Sequence, residues 1–360
     1  TEAGLLLGSF SLFGFVGSIL GGALADRFGR KGIVLFGLVF SAMSSVAFGL
    51  TNDFAFFFVL SVFVGLLSDI AGPAHQAMVA DLLPAEQRAE GYGIIRIAVN
   101  LSWILGPTIG GFLAGYSYLL LFILDAISSL IVAGIVLAFI PETKPEAAPD
   151  SEQESIGRAL MGYANVAKDG LFMAFVAAMV FTTFAYGQIY NTLSVFLRDV
   201  HGVPARGYGF LMSANASLVV LLQFWITSKV RKRPPMRVLA LGVGFYLVGF
   251  AMYGVVSGFV LFLAAMLLIT VGEMIVLPVA QALAAQFAPE HMRGRYMAFF
   301  GFSWVLPSVI GPGISGMILD GPQPRLLWFI CALSCVVAIG GLLWLHRTSG
   351  DKFEAMEAAG

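Results

Sequence analysis

Four carboxyl or guanidinium side chains stand inside long apolar runs of this chain: Asp69, Arg96, Asp125 and Glu273. Charge is costly in lipid, so such residues tend to serve a function. A carboxyl in a low-dielectric cavity can bind a proton near neutral pH, and a carboxylate can bind a cation. Glu273, in Thr270-Val271-Gly272-Glu273-Met274-Ile275, and Asp69 lie near the middle of their runs. Each has a plainer reading, as a protonated carboxyl bonded between helices. Asp125, beside Ser128 and Ser129, either faces an outer vestibule or bonds locally. Arg96, close to the end of its run, either snorkels to the boundary or pairs with a cavity acid. His75 suits a structural role better than a relay.

The elements that hold these groups are readable from composition. Hydrophobic residues make up 59% and charged residues 11%, against a soluble norm of about 25% charged. Apolar runs of about 20 residues match a hydrocarbon core of about 30 Å. We count eleven spans, at 3–22, 32–50, 54–80, 92–115, 118–140, 171–195, 208–228, 238–256, 259–285, 297–318 and 326–345. Period-two alternation is missing, which argues against a β-barrel. Cys331 and Cys335 lie one helical turn apart in an apolar run and read as small core residues.

Alternating the spans sorts the cations. Sixteen of the 20 Lys and Arg residues fall on the side of Asp26, Arg198, Arg206 and Arg325 fall opposite, and Arg96 lies within a span. By the positive-inside rule the Asp26 side is cytoplasmic, and so is the C-terminus.

An internal repeat supports this layout. Pro73, Gln76, Ala77, Ala80, Pro84 and Arg88 match Pro278, Gln281, Ala282, Ala285, Pro289 and Arg293 at one constant offset. Gly106-Pro107-Thr108-Ile109-Gly110-Gly111 matches Gly311-Pro312-Gly313-Ile314-Ser315-Gly316 at the same offset. Two six-helix repeats would place one further span before residue 1. The same offset sets Glu273 opposite position 68, next to Asp69.

The hairpin Gly22-Ala23-Leu24-Ala25-Asp26-Arg27-Phe28-Gly29-Arg30-Lys31 packs glycines, an acid and cations between two spans. It resembles the Gly-x-Leu-Ala-Asp-Arg-x-Gly-Arg-Lys loop of major facilitator superfamily transporters. The resemblance implies an all-α membrane protein with the major facilitator fold, two pseudo-symmetric six-helix bundles with eleven of twelve helices present. It further implies a conformational latch of Gly22, Asp26, Arg27, Gly29 and Arg30. Asp26 would dock near the start of the span at 297, and Arg30 would pair with Asp81. The repeat-related stretch from Lys229 to Arg233 holds no acid, so the latch is expected in one half only.

Asn100 to Gly111 is similar to the antiporter signature of that superfamily, with Gly106, Pro107, Gly110 and Gly111 in place and Ser102 where the first glycine belongs. Tyr186, Gln188, Tyr190 and Asn191, on another helix that lines the cavity in this fold, are expected substrate contacts together with Glu273. The chain departs from many proton-coupled exporters, which carry an arginine in the span that holds Asp69.

The expected domains are an N-terminal bundle at 1–141 (helices 2–6), a cytoplasmic linker at 142–170, a C-terminal bundle at 171–346 (helices 7–12) and a cytoplasmic tail at 347–360. Within the linker, Ser151 to Glu154 reads as a capping box. Ile156, Leu160, Tyr163 and Ala167 then form either an amphipathic helix on the membrane face or part of a flexible tether.

No phosphate-binding Gly-x-x-x-x-Gly-Lys-Ser/Thr is present, so ATP does not drive the protein directly. No catalytic residues, metal ligands or cofactors are expected. The expected partners are a small-molecule substrate, protons and the lipid bilayer, with no nucleic acid, for a monomer in a cell (plasma or bacterial inner) membrane. The leading expectation is a proton-coupled secondary transporter exporting amphipathic or lipophilic compounds, cationic ones among them. Alternatives are a sugar or peptide uptake symporter and a non-transporting sensor or structural protein.

Overall fold

A computed structural model describes residues 2–51, 53–68, 70–144, 156–231 and 233–358. The helices run α1 Glu2–Phe28, α2 Arg30–Leu50, α3 Phe54–Ser68, α4 Ala71–Leu82, α5 Ala85–Tyr116, α6 Tyr118–Phe139 and α7 Ile156–Lys168. They continue as α8 Gly170–Asn191, α9 Leu193–His201, α10 Ala205–Val230, α11 Pro235–Val255 and α12 Phe259–Phe287. A 3-10 turn, Glu290–Met292, leads into α13 Arg293–Phe300, followed by α14 Phe302–Leu319 and α15 Leu326–Ala358. No strand occurs among the described residues. In lipid, a helix satisfies its backbone groups internally, which is why these apolar runs take that form. The expected spans fall mostly on helix among the described residues, with turns at Ile70, Thr192 and Gly301 inside three of them, and nine helical stretches there are long and apolar enough to cross a membrane.

The chain divides into two compact units. The first comprises Thr1–Pro84, Leu105–Lys168 and Ala285–Phe299. Here α2 packs on α6, and α1 packs on α3 and α4. Gly17 and Gly21, one turn apart, make the second contact possible. A Cβ on either would overlap the backbone of Leu66 or Ile70, so these small residues let the helices close in. Ala25, Val34, Ala74 and Met78 form a buried cluster there. The linker helix α7 also belongs to this unit and packs on α1. Val166 is fully buried, and the Tyr163 hydroxyl donates to the Ile19 carbonyl. The helix expected in the linker is present, and its described part meets protein at Tyr163 and Val166.

The second unit comprises Ala85–Ile104, Asp169–Ala284 and Phe300–Gly360. In it α15 packs along α11 and α8, and α14 along α8. Trp328 of α15 is fully buried, with Phe250 of α11 stacked on it at 6.3 Å between ring centroids. Asp169 caps α8 by accepting from the Phe172 amide at 3.1 Å. Gly202, at φ 65°, closes α9 in the left-handed conformation that glycine adopts without strain. Relative to the sequence halves, residues 85–104 have joined the second unit and 285–299 the first. The bonds described next explain both transfers.

Candidate functional site

In the first unit the end of α1 meets the start of α13. The first turn of a helix leaves backbone N–H groups without intrahelical partners, and its dipole favours an anion. Asp26 supplies that anion. Its Oδ1 accepts from the Gly294 amide at 2.8 Å and its Oδ2 from the Arg295 amide at 3.0 Å. Arg30 is fully buried and lies 3.4 Å from Asp26 through Nη2 and 2.9 Å from Asp81 through Nε. Its Nη2 also donates to the Glu290 carbonyl at 2.9 Å. Arg293 pairs with Asp81, and Arg295 Nε stands 3.7 Å from Asp26. Three guanidinium groups thus share two carboxylates in a buried cluster. Burial pushes the Asp26 carboxyl up to about 6, while Arg30 and the two amides oppose that rise.

The glycines of the hairpin have separate reasons. A Cβ on Gly22 would stand 2.6 Å from the Gly294 carbonyl oxygen and 2.6 Å from the Tyr163 hydroxyl. Gly29, at φ 102° and ψ 154°, breaks α1 from α2 in a conformation essentially confined to glycine. Arg27 takes no part in the cluster. It is half-buried, with its guanidinium 4.8 Å from the Phe28 ring.

Sequence reasoning missed Glu142. It follows the last turn of α6 and accepts from the Arg30 and Lys31 amides at 2.8 and 3.3 Å, capping α2. Nothing local to Pro141-Glu142-Thr143 marks that role. Arg293 was visible as the repeat partner of Arg88, but its pairing with Asp81 was not.

In the second unit Glu273 of α12 is fully buried. Its Oε1 pairs with Arg96 of α5, and its Oε2 accepts from Asn215 Nδ2 of α10 at 2.7 Å. The same amide donates to Thr270 at 2.9 Å. Arg96 Nη2 also donates to the Tyr186 hydroxyl at 3.1 Å, which lies 3.1 Å from the Tyr190 hydroxyl. Asn100, one turn on from Arg96, donates to its carbonyl at 2.9 Å. Of the two open readings of Arg96, the structure has the pair with an acid. Beside that pair lies a cavity of about 110 Å³, lined among others by Tyr92, Arg96, Met179, Thr183, Gln281 and Trp304.

The other expected residues are not gathered there. Asp69 lies outside the described residues. Asp125 is in the first unit, exposed, and accepts from Ser45 at 2.5 Å. Gly106 has open space where a Cβ would be, and the side-chain surroundings of Pro107, Gly110 and Gly111 fall outside the description. Tyr186 does not line the cavity; it meets the centre through its bond from Arg96 and its edge contact with Trp304. Gln188, expected at the substrate, spends its amide on Phe184, Thr192 and Ser315, tying α8 to α14. Tyr190 and Asn191 are exposed and line no part of the cavity. No cluster of His, Cys, Asp and Glu able to hold a metal ion occurs among the described residues.

The family model described as the Major Facilitator Superfamily matches residues 1–312 and 237–358. The chain is 26% identical over 340 residues to a sodium, lithium, potassium/proton antiporter of Planococcus maritimus, covering 86% of this chain and 80% of that protein. It is 24% identical over 333 residues to the multidrug resistance protein MdtH of Shigella flexneri, covering 91% and 80%. Among solved structures, a bacterial homologue of the iron transporter ferroportin in an outward-facing state superposes with a TM-score of 0.78 at 14% identity, covering 96% of this chain and 90% of that one.

Proposed function

Since the chain belongs to the major facilitator superfamily, a family of multi-pass membrane transporters, we propose that it is a proton-coupled secondary transporter that exports amphipathic or lipophilic compounds by alternating access. The observation that carries the proton coupling is the ion pair of Glu273 and Arg96 at full burial of the carboxylate. A buried carboxylate is tolerable while its counter-charge stays in place and costly once it leaves. A proton then takes over from the guanidinium. Export draws support from the resemblance around Gly106 and Pro107 and from relatives named as an antiporter and a multidrug resistance protein. The Asp26 cluster serves as the latch, on the cytoplasmic side by the cation count: it holds α1 to α13 in one state and releases in the other.

In proteoliposomes, Glu273→Gln should abolish transport driven by a pH gradient while leaving counterflow of substrate measurable. Gradient-driven flux at the wild-type rate would remove Glu273 from the proton path. A second reading, uptake of a metabolite together with protons, is favoured by one feature: Arg96 stands between Glu273 and the cavity, so an occupant that engages the guanidinium frees the carboxylate for a proton.

A further inference from the structure

We propose that the cavity beside Arg96 receives the acidic group of a small organic anion whose body is one ring or a short apolar chain. This rests on Glu273 being the proton site and names what shares that site.

The charge offered to an occupant is positive. Arg96 lines the cavity and its side chain is 19% exposed, whereas that of Glu273 is fully buried. No Asp or Glu among the described residues lines the cavity. A guanidinium holds five N–H donors in a planar fork that matches a carboxylate. Arg96 Nη2 is engaged by Glu273 and Tyr186, but Nε is buried with no hydrogen-bond partner. Because Nε is enclosed while Arg96 pairs with Glu273, a carboxylate or sulfonate supplies the missing acceptor as it draws the guanidinium toward the cavity. A cation in the same place would face Arg96 with no acid to meet it, which counts against cationic substrates at this site.

The remaining lining suits an aromatic or aliphatic body. Tyr92, Met179 and Trp304 present apolar surface, and Thr183 and Gln281 add hydrogen-bonding groups. The volume, about 110 Å³, is somewhat below the roughly 150 Å³ of an engineered cavity that admits benzene. The cavity in this state therefore takes the acidic group and part of one ring, not a larger body.

The ion pair also sets the sign of the coupling. The groups around Glu273 are Arg96 from α5, Asn215 from α10 and Thr270 from its own helix; Tyr186 from α8 bonds Arg96, and Tyr246 from α11 stacks on Tyr186. Of these only Arg96 is a cation. An anion that draws Arg96 away leaves Glu273 as a bare buried carboxylate, which then takes a proton. Anion and proton bind together, so affinity for the anion rises as pH falls. This is the coupling sign of the uptake reading.

Isothermal titration of the full chain in lipid nanodiscs tests this, with phenylacetate and benzylammonium as probes at about pH 6 and about pH 8. Phenylacetate should bind, several-fold more tightly at the lower pH, and benzylammonium should not. Arg96→Ala should weaken phenylacetate about ten- to hundredfold, the range of a charge-assisted bond. Arg96→Ala alone strands Glu273, so the paired change with Glu273→Gln guards against misfolding and should lose the anion equally. Glu273→Gln alone should bind phenylacetate with no pH dependence. Preference for benzylammonium, or phenylacetate binding that ignores Arg96→Ala, overturns the anion site. Binding that needs Arg96 but is indifferent to pH and to Glu273→Gln keeps the anion site and removes the proton role. A pH gradient that drives benzylammonium through the wild type but not through Glu273→Gln does the reverse.

Discussion

Asp26 is only 9% exposed, and a buried carboxylate survives only with partners. Two amides and two guanidinium groups supply them. Its carboxyl is nonetheless pushed up to about 6 from 3.8, because burial outweighs those partners. A released, solvated Asp26 returns toward the lower value. Docking therefore takes up protons, and the docked arrangement gains stability as pH falls from about 6 toward about 4 and loses it as pH rises through that window, by about 3 kcal/mol at most. Spin labels at Phe28 and His291 should report a growing short-distance population on acidification, and Asp26→Asn should flatten the response. A wild-type distribution that ignores pH over that window would count against Asp26 titrating on release. The family resemblance of the hairpin pointed to Asp26 and Arg30, and to Arg27 as well. Arg27 shares their sequence neighbourhood but lies away from the buried cluster, which a loop motif alone does not tell apart.

Gly29 and Glu142 work together at the start of α2. Gly29 turns the chain at φ 102° between two helices, and a Cβ there would come 2.5 Å from Glu142 Oε2. Gly29→Ala combines a glycine-only conformation with a clash against the cap, so it should cost about 1–3 kcal/mol. Glu142→Ala removes the cap and should cost about 1 kcal/mol. The midpoint of thermal unfolding in detergent should fall in both variants, further for Gly29→Ala. An unchanged midpoint in Gly29→Ala would mean that α1 and α2 can join in another conformation. The glycine was legible because its neighbours are charged and apolar in a fixed order. Glu142 was not, because its partners lie 111 and 112 positions away. The linker helix α7 teaches the same lesson. Its spacing predicted an apolar face, but not that α1 would cover it.

Over the whole chain the sorted cations predict a common side for the Asp26 hairpin, the linker and the C-terminus. A fluorescent protein fused after Gly360 should fluoresce in cells, and alkaline phosphatase fused there should stay inactive. The opposite pair of results would invert the proposed topology, and with it the side on which the Asp26 cluster closes. The constant offset between the two repeats describes the chain as two halves, yet compactness divides it differently: residues 85–104 associate with the second unit and 285–299 with the first. Each transferred segment brings a hydrogen-bond donor to a buried carboxylate, Arg96 to Glu273 in one case and the Gly294 and Arg295 amides to Asp26 in the other.

Apolar runs, cation sorting, repeated prolines and the glycine hairpin are properties of neighbouring residues. Lipid requires each span to satisfy its backbone internally, so the sequence alone determined the helical spans, the family and the residues at risk of buried charge. Pairing is another matter. The resemblance of the hairpin anticipated the docking of Asp26, 268 positions from Gly294, and the pair of Arg30 with Asp81, but no local pattern says that Arg96 meets Glu273 or that Arg293 meets Asp81. The tertiary structure decided that Arg96 belongs to Glu273, that Glu142 caps α2, that Gln188 ties two helices together, and that the charge facing the cavity is positive. Each of these depends on which helix faces which, and packing alone resolves that.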